Sequence, residues 1–166
     1  MAAARMRMRT VTKVDRAPVA HLIFSLDQQL YALAIDYVVE VAAMVELLRT
    51  PASDEVFLGA ANRHGEVLPM LDLRPIFRQP AAPIDTSTLF IVARSGEQQV
   101  GLVVDEVLRI QYFDLEQVAQ GSSRDPLVQG IITHGEHLIQ MVALPVLLAQ
   151  HLPLDVPAYF EGTQAT

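Results

Sequence analysis

Five histidines, His21, His64, His134, His137 and His151, are the side chains of this chain best suited to hold a transition metal. A metal site needs three or four ligands converging at about 2 Å, and no two of these histidines stand four apart on a helical stretch with an acid beside them. His134 and His137 flank a tight turn and are able to pair across it. That leaves a small β-barrel metal or ligand binder as one reading and an exposed hairpin tip as the plainer one. Nucleophilic chemistry has less to work with: no G-x-S-x-G elbow occurs, and Ser122 and Ser123 lie between Gly121 and Pro126 in ordinary turn composition. The carboxylate pairs are Asp54-Glu55 and Asp105-Glu106. Neighbours on a strand project to opposite faces, so the second pair is unsuited to joint acid–base work. Glycine-rich phosphate loops are absent, the sole lysine is Lys13, and there is no cysteine. Disulfides, thiolate metal sites, cysteine nucleophiles and a P-loop lysine are excluded. The residues therefore predict no catalytic group, no metal and no cofactor, and point to protein binding.

The elements that carry these residues belong to one compact domain or to two small subdomains sharing a core. The chain has 166 residues, 51% apolar and 19% charged, with net charge −7. Residues 1–20 hold +4 of charge, leaving −11 for the other 146. An acidic body lacks the clustered Lys and Arg that displace phosphate counterions, so nucleic acid is not the expected partner. Residues 1–18 read as a basic flexible tail, residues 19–152 as the folded domain and residues 153–166 as a loose tail. The first 20 residues contain no continuous apolar signal core, and Gln140, Pro145, Gln150, His151 and Pro153 interrupt the charge-free run 137–154. A cytoplasmic protein is expected.

Short apolar runs rich in β-branched residues, divided by turn residues, predict a mainly β protein. Val19–Leu26 and Leu30–Ile35 form a hairpin with a three-residue loop, Asp27 to Gln29. After Asp36 a brief turn leads into strand through Leu48. Asp54, Glu55 and Phe57 are expected in a short helical turn. Phe57–Asn62 and Val67–Leu71 pair through a turn in which Gly65 supplies positive φ, and Pro69 suggests an edge or a bulge. The Pro-rich loop 78–87 is the candidate boundary between halves. Thr88–Ala93, residues 99–110, residues 128–135 and residues 137–144 repeat the strand–turn–strand style. The spacing of Leu144, Leu147, Leu148 and Leu152 predicts a closing helix with Pro145 in its first turn. Two groups of strands of similar style predict two small barrels packed together.

The segment FLGAANRHGEVLPMLDLRPIF carries a resemblance. It is similar to the hallmark of the CheW-like family, roughly G-x-x-N-x-R-G-x-x-x-P-x-x-D-L-R, matched by Gly59, Asn62, Gly65, Pro69, Asp72, Leu73 and Arg74. Leu30 to Ile35, Val38 to Val41, Val100 to Val107 and Gly130 to Leu148 add further matches in order, over about residues 19–152. The resemblance implies two five-stranded SH3-like barrels sharing a hydrophobic core, with a short C-terminal helix. It also implies an adaptor between the cytoplasmic tip of chemoreceptors and the regulatory domain of a CheA-type histidine kinase, recruited to membrane-associated arrays through the receptors.

Carried over residue by residue, the receptor-facing positions are Val38, Glu40, Gly59, His64 and Ile110, with the kinase-facing surface mainly on the second barrel. Asn62, Gly65, Pro69, Asp72 and Arg74 read as structural, Asp72 capping a helical turn and Arg74 pairing with a carboxylate. His64 departs from the family arginine, and Arg63 stands one place earlier. Histidine lacks the permanent charge and bidentate fork of arginine, so a shifted partner preference is expected. A specialised paralogue serving type IV pili and twitching, or a domain that dampens an array by occupying its sites, carries the same motifs.

Overall fold

The computed structural model describes residues 17–119 and 124–153. The tail expectations for residues 1–16 and 154–166, and the turn residues Ser122 and Ser123, lie outside them. Among the described residues twelve strands form two sheets. In chain order they are β1 (Val19–Leu26), β2 (Gln29–Ala34), β3 (Val38–Ala43), β4 (Leu47–Leu48), β5 (Phe57–Arg63), β6 (Glu66–Asp72), β7 (Leu89–Ser95), β8 (Gln98–Val104), β9 (Glu106–Phe113), β10 (Val118–Ala119), β11 (Val128–His134) and β12 (His137–Val142). Helices α1 (Leu73–Ile76) and α2 (Leu144–His151) follow β6 and β12.

The sheet orders are β3-β7-β8-β6-β5-β4 and β9-β1-β2-β12-β11-β10. These are the same topology, each with five full strands and one of two residues. In both, the two outermost strands are joined by a short link, residues 44–46 in one and 114–117 in the other, so each sheet bends back on itself and leaves an open seam between its unpaired outermost strands. Barrel 1 is β3 to β8. Barrel 2 is β9 to β12 completed by β1 and β2, so the chain crosses between barrels at Ile35–Tyr37, a single 3-10 turn, and again at Asp105. The proline-rich loop 78–87 therefore divides nothing: it joins β6 and α1 to β7 inside barrel 1.

Alternation along the strands places apolar residues in three clusters. Met44, Leu58, Leu68, Met70, Phe90 and Val103 fill barrel 1. Ile23, Ala32, Phe113, Ile132, Ile139 and Met141 fill barrel 2. The opposite faces, with Leu22, Phe24 and Leu33 on one side and Leu71, Ile91 and Leu102 on the other, meet in a shared core that α2 covers with Leu144, Leu147 and Leu148. The closing helix forms where the leucine spacing places it, with Pro145 in its first turn.

Several local expectations are corrected. The β1–β2 turn has two residues rather than three, because Asp27 (φ 47°) and Gln28 (φ 70°) both adopt the left-handed conformation whose twist matches a hairpin, and Gln29 already pairs with Leu26. Ile35 has left the strand for the crossing. The strand expected to run through Leu48 breaks at Met44, whose side chain enters barrel 1 as the chain turns the corner to pair β4 with β5. Asp54 starts no helix: its Oδ1 accepts from the backbone N–H of Val56 (2.8 Å) and Phe57 (2.7 Å), a turn that launches β5. Pro69 sits in an inner strand, tolerated because the parallel ladder to β8 starts one residue later, at Met70. Residues 99–110 are two strands broken at Asp105.

Candidate functional site: two barrel seams

Nine large apolar side chains are exposed among the described residues, and eight lie along the seams. Val39, Val41, Val45 and Leu48 line the seam of barrel 1. Leu108, Ile110, Tyr112 and Leu115 line that of barrel 2, and Leu138 stands apart. Seam strands β3 and β9 are sheet edges with backbone groups free on one side, so each seam offers an apolar stripe beside unpaired donors and acceptors.

Gly59 shapes the first seam. Its φ is +122°, and a Cβ there would lie 2.1 Å from the Leu48 carbonyl oxygen, so only glycine lets β4 close on β5. The register slips at this point, between Phe57 and Gly59. At the far end of β5, His64 (φ 54°) and Gly65 (φ 83°) form a two-residue turn between Arg63 and Glu66. Asn62 Oδ1 accepts from the Gly65 N–H at 3.1 Å and holds the corner. Arg63 forms an ion pair with Glu40 across the barrel mouth, their side chains 15% and 42% exposed. The arginine next to the family position is thereby engaged within the chain, and His64 occupies the tip.

The structure thus brings Glu40 to the Arg63–His64 corner and sets Gly59 against β4. Val38 is half-buried beside Ala93, just before a bulge that turns Glu40 toward the rim. Ile110, 55% exposed, belongs to the other seam, opposite Leu22 of β1.

The D-L-R triplet is buried. Asp72 caps α1, accepting from the Arg74 backbone N–H at 3.0 Å. Arg74, 2% exposed, donates through Nε and Nη2 to the two oxygens of Asp72, each at 2.9 Å, and through Nη1 to Asp105 at 3.5 Å. Burial works against the cation, and the bonds to Asp72 and Asp105 outweigh it, leaving the guanidinium pKa above its ordinary value. Sequence reasoning missed Asp105 in this role. A signal existed: A-L-A-I-D-Y-V (32–38) and G-L-V-V-D-E-V (101–107) place an aspartate at the same point of both crossings.

The histidine reading finds little support. His134 and His137 face each other across the β11–β12 turn, but a His134 ring nitrogen bonds the Gln111 side chain at 3.1 Å. Among the described residues no three His, Cys, Asp or Glu side chains converge as a metal site would require, and no helix is long and apolar enough to cross a membrane.

Comparison with known proteins adds to this geometry. The CheW-like domain family matches residues 20–151. The chain belongs to the CheW-like family. Relatives include the chemotaxis protein CheW of Klebsiella aerogenes, 28% identical over 149 residues, covering 86% of this chain and 90% of the relative. Another is the chemotaxis protein CheW of Helicobacter pylori, 26% identical over 129 residues and covering 75% and 78%. The crystal structure of the scaffolding protein TtCheW from Thermoanaerobacter tengcongensis superposes with a TM-score of 0.69 at 25% identity, covering 76% of this chain and 89% of that one. The paired SH3-like barrels with a short closing helix are thus the CheW fold, and the chain is a chemotaxis scaffold of that family.

Proposed function

We propose that this CheW-like chain is a non-catalytic adaptor that couples chemoreceptors to a CheA-type histidine kinase at the cytoplasmic face of a receptor array. Val38, Glu40, His64 and Ile110 contact the receptor tip in this reading, with Gly59 shaping the seam behind them. The observation that carries the reading is the pair of exposed apolar seams, one on each barrel of a scaffold-family fold: in this reading the receptor uses the first together with Ile110 of the second, and the remainder of the second barrel takes the kinase. Calorimetric titration of the purified chain with the isolated kinase regulatory domain, and with receptor-tip fragments, tests it. Micromolar or tighter binding to each is expected, about −8 kcal/mol. Absence of binding to the kinase domain at high concentration overturns it. Receptor fragments from flagellar and from pilus-linked arrays, tested side by side, assign the array that the Arg63–His64 corner favours.

A further inference from the structure

The two crossings between barrels occupy corresponding positions and are fastened differently. At the second, the Asp105 backbone N–H donates to the Ser25 carbonyl at 3.1 Å, and its carboxylate accepts from the Asp27 backbone N–H at 2.6 Å and from Arg74 at 3.5 Å. One carboxylate therefore joins α1 of barrel 1 to the β1–β2 hairpin of barrel 2. Gln79, just beyond α1, donates to the Tyr31 hydroxyl of the same hairpin at 3.1 Å, and Phe77 packs on the Tyr31 ring at 4.9 Å between centroids. At the first crossing, Asp36 is exposed and its side chain makes no hydrogen bond or ion pair among the described residues, while Ile35 and Tyr37 pack on the shared core. The position in α2 that corresponds to Arg74 in α1 is Pro145, which has no charge to offer.

Apolar burial is non-directional, whereas charge-assisted hydrogen bonds fix an angle. Strand β9, with Leu108, Ile110 and Tyr112, begins one residue after Asp105. A 10° rotation of barrel 2 about that point carries Tyr112, seven residues on at about 3.3 Å each, through roughly 4 Å. We propose that Asp105 is a positioning residue that sets the angle between the two seams, so that one molecule holds both partners at once; this rests on the adaptor reading above.

The absence of cysteine from the chain supplies a clean test. Glu97→Cys in the β7–β8 turn and Glu136→Cys in the β11–β12 turn, both exposed, take spin labels, one on each barrel of the full chain. Pulsed dipolar spectroscopy then reads the inter-barrel distance. Asp105→Ala is expected to widen the distribution at least twofold. Asp36→Ala is expected to leave it unchanged. Asp105→Asn, which keeps an oxygen for the Asp27 amide and loses the charge facing Arg74, falls between them and serves if the alanine variant melts. In calorimetry each partner alone binds Asp105→Ala within about threefold of the unsubstituted chain, while affinity for the kinase domain in the presence of saturating receptor fragment falls about tenfold. An unchanged distance distribution in Asp105→Ala overturns the strap. A widened one with intact binding of both partners together overturns the positioning role. If the unsubstituted chain binds neither partner, the adaptor reading fails and the positioning role falls with it, while the distance measurement still decides the strap.

Discussion

Barrel 1 closes its mouth with a cation against an acid, Arg63 on Glu40, where the corresponding positions of barrel 2 hold two bases, His134 and Arg109. There Gln111 stands between them, accepting from Arg109 Nε at 2.8 Å and bonding the His134 ring at 3.1 Å. The same topology thus closes one mouth with an ion pair and the other with a neutral glutamine bridging a guanidinium and an imidazole. Likewise α1 opens with a charged cap and a buried arginine, and α2 with Ala143 and Pro145. A duplicated scaffold keeps its backbone register and changes its polar groups, which is how one small domain acquires two unlike faces.

The comparison breaks most visibly at Arg74. Arg74→Ala strands two carboxylates beside the shared core, and a loss of about 3–5 kcal/mol in urea unfolding is expected, whereas Pro145→Ala in barrel 2 stays within about 1 kcal/mol. The next effect contrasts two glycines in register. Gly59→Ala meets backbone at a positive φ and should lose about 1–3 kcal/mol. Gly130→Ala meets side chains and no backbone, Val118 of a two-residue edge strand first and then Met141, and should lose less. Equal losses would show that the seam of barrel 1 has no special closure.

Tyr31 in barrel 2 sharpens the contrast at high pH. Burial raises its pKa above 10.0, partly offset by the bond from Gln79. A raised phenol pKa contributes stability that is full below pH about 10 and is lost as pH rises toward the folded value. Tyr31→Phe should flatten that alkaline limb in thermal melts while costing about 1 kcal/mol at pH 7 through the lost hydrogen bond. The smallest effect on stability belongs to Glu40→Lys. The half-exposed pair it breaks is worth under about 1 kcal/mol and is screened by salt, yet receptor-fragment affinity should fall at least tenfold by calorimetry. A large stability loss there would reassign Glu40 from contact to structure.

Most strands were legible because alternation and turn residues are local: the leucines after Pro145, the glycine at 65 and the Asp72 cap are each readable within a few positions. Pairing across distance is not local. Residues 99–110 read as one continuous apolar run, since no turn residue beside Asp105 announces that it leaves the ladder to meet Arg74, 31 positions away. The proline-rich loop looked like a boundary by composition, yet the parallel pairing of β6 with β8, formed only after both strands exist, keeps it inside one barrel. At the seam, Glu40 entered only through the family resemblance, and its ion pair with Arg63 was not legible, because that contact depends on the sheet bending back on itself.

The threading also orders the birth of the molecule. Barrel 1 is continuous from Val38 to Val104, while barrel 2 needs β1 and β2 from before that stretch and β9 to β12 from after it. At about 5–20 residues per second on the ribosome, the first hairpin waits roughly 4–14 s for β9 alone. Throughout that interval the apolar faces of Leu22, Phe24 and Leu33 are shielded only by whatever of barrel 1 has already formed. The contiguous barrel can therefore form before the split one has all its strands, and the surface it offers the waiting hairpin is the one that later becomes the shared core.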